Sequence, residues 1–248
     1  MKLRLIFALA ATLAFGALSA SDLTLTFTTT AKGLGGGGGT EVHSYSQGFF
    51  LNRNVEQKRD SLVDFQQGIS YSIDHKKKTI QMMRMADALA ALEGLNQAQP
   101  EGIGAFMGKM FGDPNDIKVE KMEKEKILDR DCQRYQITVG KLVYSISTDP
   151  TLKLPMTEAS YARMIQTQAA AFAKAGPMGA SFKHLYEELA KIKGVPLKTQ
   201  MKGFMGMSSS SEATRIDQAP IPASLFTLPA DYKLEDMGKK LREEMKAK

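Results

Sequence analysis

Apolar and polar residues alternate with a period of two in several short stretches of this chain, and turns separate the stretches. Leu23, Leu25 and Phe27 alternate with Thr24, Thr26 and Thr28, the pattern of a half-buried strand rich in β-formers. Ile69, Tyr71 and Ile73 alternate, "DHKKK" turns, and Ile80 and Met82 return. Tyr135, Ile137 and Val139 reach a turn at Gly140-Lys141, and Leu142, Tyr144 and Ile146 come back. "PLKTQMKGFMGM" and "EATRIDQ" flank the tract "SSSS" as a further hairpin. Strands joined by short turns predict an antiparallel sheet rather than βαβ units. Cys132 shares parity with Arg134, Gln136 and Thr138, so an undisturbed strand puts it on the polar face. It is the one cysteine of the chain, so no intrachain disulfide forms. It is expected to be a small, partly buried residue.

Helical spacing interrupts the sheet pattern in two insertions. Near 84–112, "RMADALAALEGL" sets Met85, Leu89 and Leu92 on one face, followed by Ile103, Phe106, Met107 and Met110. Within 157–193, Tyr161, Ile165, Ala169 and Phe172 recur at helical spacing behind Thr157 as N-cap, and Gly176-Pro177 stops them. Ser181 can cap the second helix of that pair, whose stripe is Phe182, Leu185, Tyr186, Leu189 and Ile192, ending before Gly194 and Pro196. Both are amphipathic and must lay one face on something apolar, and the sheet is the nearest candidate. The tail from 234 to 248 carries Leu234, Met237, Leu241 and Met245 on one stripe with charged pairs four apart, a surface helix. "GLGGGGGT" lacks the helix and Lys-Ser/Thr pair of a phosphate loop and reads as a connection between two antiparallel strands.

The first residues point to export. Lys2 and Arg4 precede an apolar run from Leu5 to Leu18, and Ser19, Ala20 and Ser21 follow, the build of a cleavable signal over 1–20. The run is short of the about 20 residues that span a bilayer. A retained N-terminal anchor is the alternative. Cleavage after Ala20 leaves 228 residues, read as one β-rich domain over 21–233 followed by the tail helix. The expected location is periplasmic or secreted, with no transmembrane segment after cleavage.

Familiar catalytic arrangements do not occur. The chain has no G-x-S-x-G, H-E-x-x-H, C-x-x-C or S-x-x-K, and His43, His75 and His184 are scattered. The net charge of +6 is interleaved with acids, as in "KVEKMEKEKILDRD", which is not a phosphate-tracking stripe; nucleic acid is excluded as a partner. The reading is therefore non-enzymatic, with no cofactor, no catalytic residue and no metal site. Methionine is the unusual component, 15 residues against no tryptophan. Three roles stand for it: core filling, a pliable wall of an apolar pocket, and a thioether site for Cu(I).

"KKKTIQMM", "CQRYQITVG" at 132–140, "GVPLKTQMK" at 194–202 and "ATRIDQAPIPASLFTLPADYK" at 213–233 occur in this order. Together they resemble a group of uncharacterised bacterial exported domains distantly similar to the LolA and LolB lipoprotein carriers. The resemblance implies an α+β fold: a curved antiparallel sheet, an unclosed β-barrel, covered by inserted helices. In that frame Pro220 and Pro222 stop ladder pairing for want of an N–H. Leu225 and Phe226 plug the open end of the sheet, and Pro229 and Tyr232 lead out to the tail. It further implies a carrier that binds a lipophilic ligand or an acylated protein without covalent chemistry. The expected wall is Met82, Phe106, Met107, Ile165, Phe172, Phe182 and Tyr186. The alternatives are an envelope interaction protein with a filled core, and a methionine-based Cu(I) binder.

Overall fold

The computed structural model describes residues 22–32, 38–87, 113, 115–157, 160–161, 184–203 and 207–246. The signal segment 1–20, most of the glycine run and nearly all of the 84–112 insertion lie outside them, as do residues 162–183 of the second insertion. The strands are β1 (Leu23–Lys32), β2 (Gly39–Ser46), β3 (Phe49–Asn54), β4 (Arg59–Asp64), β5 (Ile69–Asp74) and β6 (Thr79–Arg84). They continue with β7 (Ile117–Lys121), β8 (Glu125–Ile127), β9 (Arg130–Val139), β10 (Leu142–Asp149), β11 (Val195–Lys202), β12 (Ser208–Asp217) and β13 (Lys233–Asp236). They form one sheet in the order β13-β6-β5-β4-β3-β2-β1-β12-β11-β10-β9-β7, with β8 paired to β9. The described path has two ends and does not close. Every pair is antiparallel except β13 on β6. The described residues form a large, curved, open antiparallel sheet with few helices.

The hairpins from β3 to β6 repeat every ten residues, and a short Asn or Asp side chain opens each turn. The Asn54 carboxamide oxygen accepts the Gln57 N–H at 2.9 Å. Asp64 accepts from Gln66 and Gln67, each at 2.9 Å, and Asp74 from Lys76 and Lys77 at 3.1 and 3.0 Å. Short acidic and amide side chains bond their own backbone in this way and so favour turns over ladders. Each turn ends on a left-handed residue, Lys58 (φ 55°), Gly68 (φ 65°) or Lys78 (φ 51°); only the middle one is a glycine.

Register decides which side chains share a face, since directly opposed residues point the same way. Leu25 faces His43 and Leu23 faces Tyr45 across β1–β2. Tyr45 faces Phe50, Phe50 faces Val63, Val63 faces Ser70 and Ser70 faces Met83. We call this the inner face. On the β9–β12 side it carries Ile137, Tyr144, Ile146, Thr199 and Met201, and helical residues 184–189 lie on it through Leu185 and Leu189. There the outer face is a polar row, Gln136, Ser145, Gln200, Ser210 and Thr30. From β3 to β6 the sidedness reverses. The inner row is Asn52, Ser61, Ser72 and Gln81, while the outer row holds Leu51, Leu62, Tyr71 and Met82. The core thus crosses the sheet at β2–β3, where Ser44 and Leu51 are buried on the outer face behind Tyr45 and Phe50.

The segment from Pro220 to Pro229 covers this reversed half. Leu225, Phe226 and Leu228 pack on Leu51, Leu62, Ile73 and Ile80, and Phe226 stacks on Phe49 with centroids 5.3 Å apart. The two residues expected to plug the open end therefore seal the outer face instead. Asp22 fixes the start of this strap, accepting the Ile221 N–H at 2.7 Å and the Ser46 hydroxyl at 2.7 Å. Tyr232 fixes its end, hydrogen-bonded at 3.0 Å to His75, which also meets Asp60 at 3.0 Å. The strap delivers the chain beside β6, where Lys233–Asp236 add as a parallel strand. Leu234 therefore belongs to β13, not to a helix. The C-terminal helix spans Met237–Lys246, with the Asp236 carboxylate accepting the Lys239 N–H at 2.8 Å as its cap.

Two further expectations change. The serine tract is not the turn: Ser208–Ser211 open β12, and the hairpin closes through Gly203 N–H to Met207 oxygen at 2.8 Å. Cys132 is fully buried rather than on a polar face. At that end of β9–β10 both faces are covered, and Gln133, Ser147, Thr148 and Asp149 are buried as well, so parity with Arg134 no longer means exposure. Burial raises the Cys132 thiol to about 11, with Asp149 and Glu125 adding to the effect, which leaves an inert thiol.

Candidate functional site

A cavity of about 260 Å3 lies between the inner face and its helical cover. β1 to β3 border it with Phe27, His43, Tyr45 and Phe50, and β10 with Tyr144, Ile146 and Thr148. Pro196, Thr199 and Ser211 floor it between them. The cover supplies Leu154, Tyr161, Tyr186, Leu189 and Ile192. Phe50 and Tyr144 stand five strand positions apart in the sheet order, about 24 Å along a flat sheet. Both border the same small space, so the sheet is concave on this face. A second, more open cleft of about 480 Å3 is lined by Gln47, Gly48, Gln66, Pro155, Met156, Thr157 and Ser160.

Local sequence sets the cover in place. Thr157 Oγ1 accepts the Ser160 N–H at 3.1 Å, the cap expected of it, and Tyr161 follows. The stripe Leu185, Tyr186, Leu189 and Ile192 turns inward, whereas His184 pairs with Glu187 and Lys191 with Glu188 away from the cavity. The segment then turns sharply into β11 at Gly194 (φ +97°), where a Cβ would stand 2.6 Å from the Asp149 carbonyl oxygen. Thr148 Oγ1 donates to the Lys193 carbonyl at 3.0 Å, which ties the cover to the floor.

Rings dominate the lining. Phe27 and His43 have centroids 4.7 Å apart, His43 and Phe50 5.5 Å, and Tyr45 stacks on Phe50 at 4.8 Å. Burial raises the phenols of Tyr45, Tyr161 and Tyr186, and raises Tyr144 to about 12 against a lowering hydrogen bond with Thr199. They are neutral phenols. His43 Nε2 meets Glu41 at 3.1 Å, and the hydrogen bond from His43 is the main cause that holds the Glu41 carboxyl below its usual range. Among the described residues no group of three His, Cys, Asp or Glu side chains is placed to hold a metal ion. The lining offers apolar contact, ring faces and hydrogen bonding.

Of the residues expected from the sequence to form a wall, Tyr186 borders the cavity. Met82 does not: its register opposite Tyr71 puts it on the outer face, buried at 9% exposure in the reversed half. Its neighbour Met83 shares the inner face. Phe106, Met107, Ile165, Phe172 and Phe182 lie outside the described residues. Sequence reasoning missed Phe27, His43, Tyr45, Phe50 and Tyr144. Their inner-face parity was readable for Phe27 and Tyr144, but the convergence of β3 and β10 on one space depends on curvature.

No helix among the described residues is long and apolar enough to cross a membrane. No curated protein matches the chain. Among solved structures, PNGF-II is similar over 90% of this chain with 14% identity and a TM-score of 0.44, and this chain spans only 32% of it. The Pseudomonas aeruginosa MucA/MucB complex structure matches over 88% of this chain and 59% of the other, at 10% identity and a TM-score of 0.43. A LolA superfamily protein from Nitrosomonas europaea matches over 84% of this chain and 90% of its own, at 8% identity and a TM-score of 0.31. These likenesses are distant. Residues 103–232 match the family described as a domain of unknown function, DUF4412, and the chain belongs to that family.

Proposed function

We propose that the protein is an exported, non-enzymatic binding or carrier protein that holds a small lipophilic ligand, or one chain end of a larger one, in the inner-face cavity. One observation carries this reading: a ring-lined space of about 260 Å3 sits between the sheet and its helical cover. Ligand cavities run from about 300 to 1,000 Å3, so this one is at the small end. At the about 30 Å3 that a water occupies in the liquid, it has room for on the order of ten non-hydrogen atoms. That suits one short chain segment. Lys2, Arg4 and the apolar run to Leu18 support export.

Calorimetric titration with 1-octanol, an uncharged probe of fitting size, tests the cavity. Saturable one-to-one binding with a negative heat-capacity change is expected. Absence of saturable binding by a folded sample overturns the reading. Export is tested by cell fractionation with N-terminal sequencing of the mature chain, expected to begin at Ser21; a product that keeps Met1 overturns that part.

A further inference from the structure

The cavity gathers hydroxyl groups without gathering charge. Its described lining residues include no Asp, Glu, Lys or Arg. His43 is the one described lining residue that can become a cation, and Glu41 meets it at 3.1 Å, so the pair brings no net positive charge. Four tyrosines border the space, Tyr45 from β2, Tyr144 from β10, and Tyr161 and Tyr186 from the cover. Burial is the main cause that raises Tyr144; the Thr199 bond opposes it, and Tyr186 and Tyr161 add to it. Burial also leads for Tyr45, with Tyr161 adding. The phenol oxygens of sheet and cover therefore lie within electrostatic reach of one another. The lowering sense of the Thr199 bond means that Thr199 donates to the Tyr144 oxygen, which leaves the Tyr144 proton to be given elsewhere. Among the described residues, the sealed side-chain oxygens and nitrogens without a partner are Asn52 Oδ1 and Asp87 Oδ2. Each of the four phenol oxygens is thus either bonded already or open to a molecule the size of water. Neutral O–H donors suit an uncharged acceptor, whereas an ion shut in without an opposite charge loses its hydration.

We propose that the cavity selects a small uncharged aromatic carbonyl compound, its oxygen held by the converging phenol hydroxyls, and that it rejects ionised analogues of the same shape. This rests on the carrier reading above and names the ligand class. The ligand ring packs among Phe27, His43, Tyr45 and Phe50, which already touch one another at centroid distances of 4.7 to 5.5 Å; aromatic rings favour such offset and edge contacts. A carbonyl oxygen accepts and has no proton to give, so it matches a site rich in donors. A benzoate brings a charge that no described lining cation answers. A benzylammonium brings further donors, with no described lining carboxylate to take them. Acetophenone fits room for on the order of ten non-hydrogen atoms.

The test is calorimetric titration of the full mature chain at neutral pH with acetophenone, ethylbenzene, benzoate and benzylammonium, which share a ring and differ in the group it carries. Acetophenone is expected to bind about tenfold tighter than ethylbenzene, which has no acceptor. Both ions are expected to bind about tenfold or more weakly than acetophenone. Tyr45→Phe and Tyr161→Phe keep the rings and remove a hydroxyl each. Together they are expected to bring acetophenone to within about threefold of ethylbenzene. Equal binding of acetophenone and ethylbenzene overturns the inference and leaves the cavity reading standing. Either ion binding as tightly as acetophenone does the same, as does a preference unchanged in the double variant. Failure of all four to bind a chain that takes 1-octanol also overturns the inference alone. If 1-octanol fails as well, the cavity reading itself falls and takes the inference with it.

Discussion

The two halves of this sheet are built from the same alternation and bury opposite faces. From β3 to β6 the outer face is closed by the strap, Phe226 on Phe49 and Leu225 and Leu228 over Leu51, Leu62, Ile73 and Ile80. From β1 and β2 through β9 the inner face is covered by helical residues 184–189 together with Leu154 and Tyr161, with space left beneath. The strap is continuous with β12 and β13 and pinned at both ends by Asp22 and Tyr232, so it seats closely. The described part of the helical cover joins β11 through Gly194, where Thr148 Oγ1 donates to the Lys193 carbonyl. The strap lies on a closely packed cluster, whereas the helical cover leaves a cavity beneath it.

The sharpest way to break this contrast is a matched pair of truncations. Leu62→Ala in the filled half is expected to cost about 4 kcal/mol, within the usual range for a buried leucine. Ile146→Ala, beside the cavity, is expected to cost about 2 kcal/mol, because part of its surroundings is already vacant. Urea unfolding of both measures the difference, and equal losses contradict it.

Next in size is the charge that anchors the cavity half. Burial opposes ionisation of Asp149, but hydrogen bonds from Thr151 and Arg130 outweigh it and hold its carboxyl below the usual 3.8; Arg130 lies 2.6 Å away. A lowered folded-state value gives stability that is complete above about pH 4 and is lost as pH falls through that lower value. Arg130→Met, which strands the buried carboxylate, is expected to cost about 3 kcal/mol at neutral pH. It should also move the midpoint of acid unfolding to higher pH, followed by circular dichroism.

A third change carries a sign. Ser211→Leu projects extra carbons into the proposed empty space and is expected to stabilise by about 1 kcal/mol while abolishing 1-octanol binding. Were the site already full, the same change would destabilise by about 1–3 kcal/mol through overpacking. The smallest effect belongs to the filled half: Lys58→Gly removes a side chain from a left-handed turn position (φ 55°), expected to raise Tm by about 2 °C. Unchanged or lower Tm would say that the turn is not strained.

Much of the architecture was legible along the chain. The alternation at Leu23 to Phe27, the hairpins at 69–82 and 135–146, the Thr157 cap and the Leu185, Tyr186, Leu189, Ile192 stripe all stand in the structure. The recurrence of Asn54, Asp64 and Asp74 at ten-residue intervals was also written there, visible only by comparing one turn with the next. Three features were not legible. Met82 and Met83 are adjacent and alike, and only register says which one faces inward. β13 is four residues, "KLED", too short for alternation to separate from the helix it precedes. His43, Glu41 and Asn52 are polar residues on two different strands whose meeting needs the β2–β3 pairing.

By itself the sequence determined where strands run, where they turn and which stretches can lie as amphipathic covers, because backbone geometry and turn side chains act over a few residues. Which face each half buries was decided only by tertiary structure. Alternation is unchanged when a strand is turned over, so the choice falls to the cover that reaches it: the strap for one half, the inserted helical segment for the other. The cavity follows from that second choice.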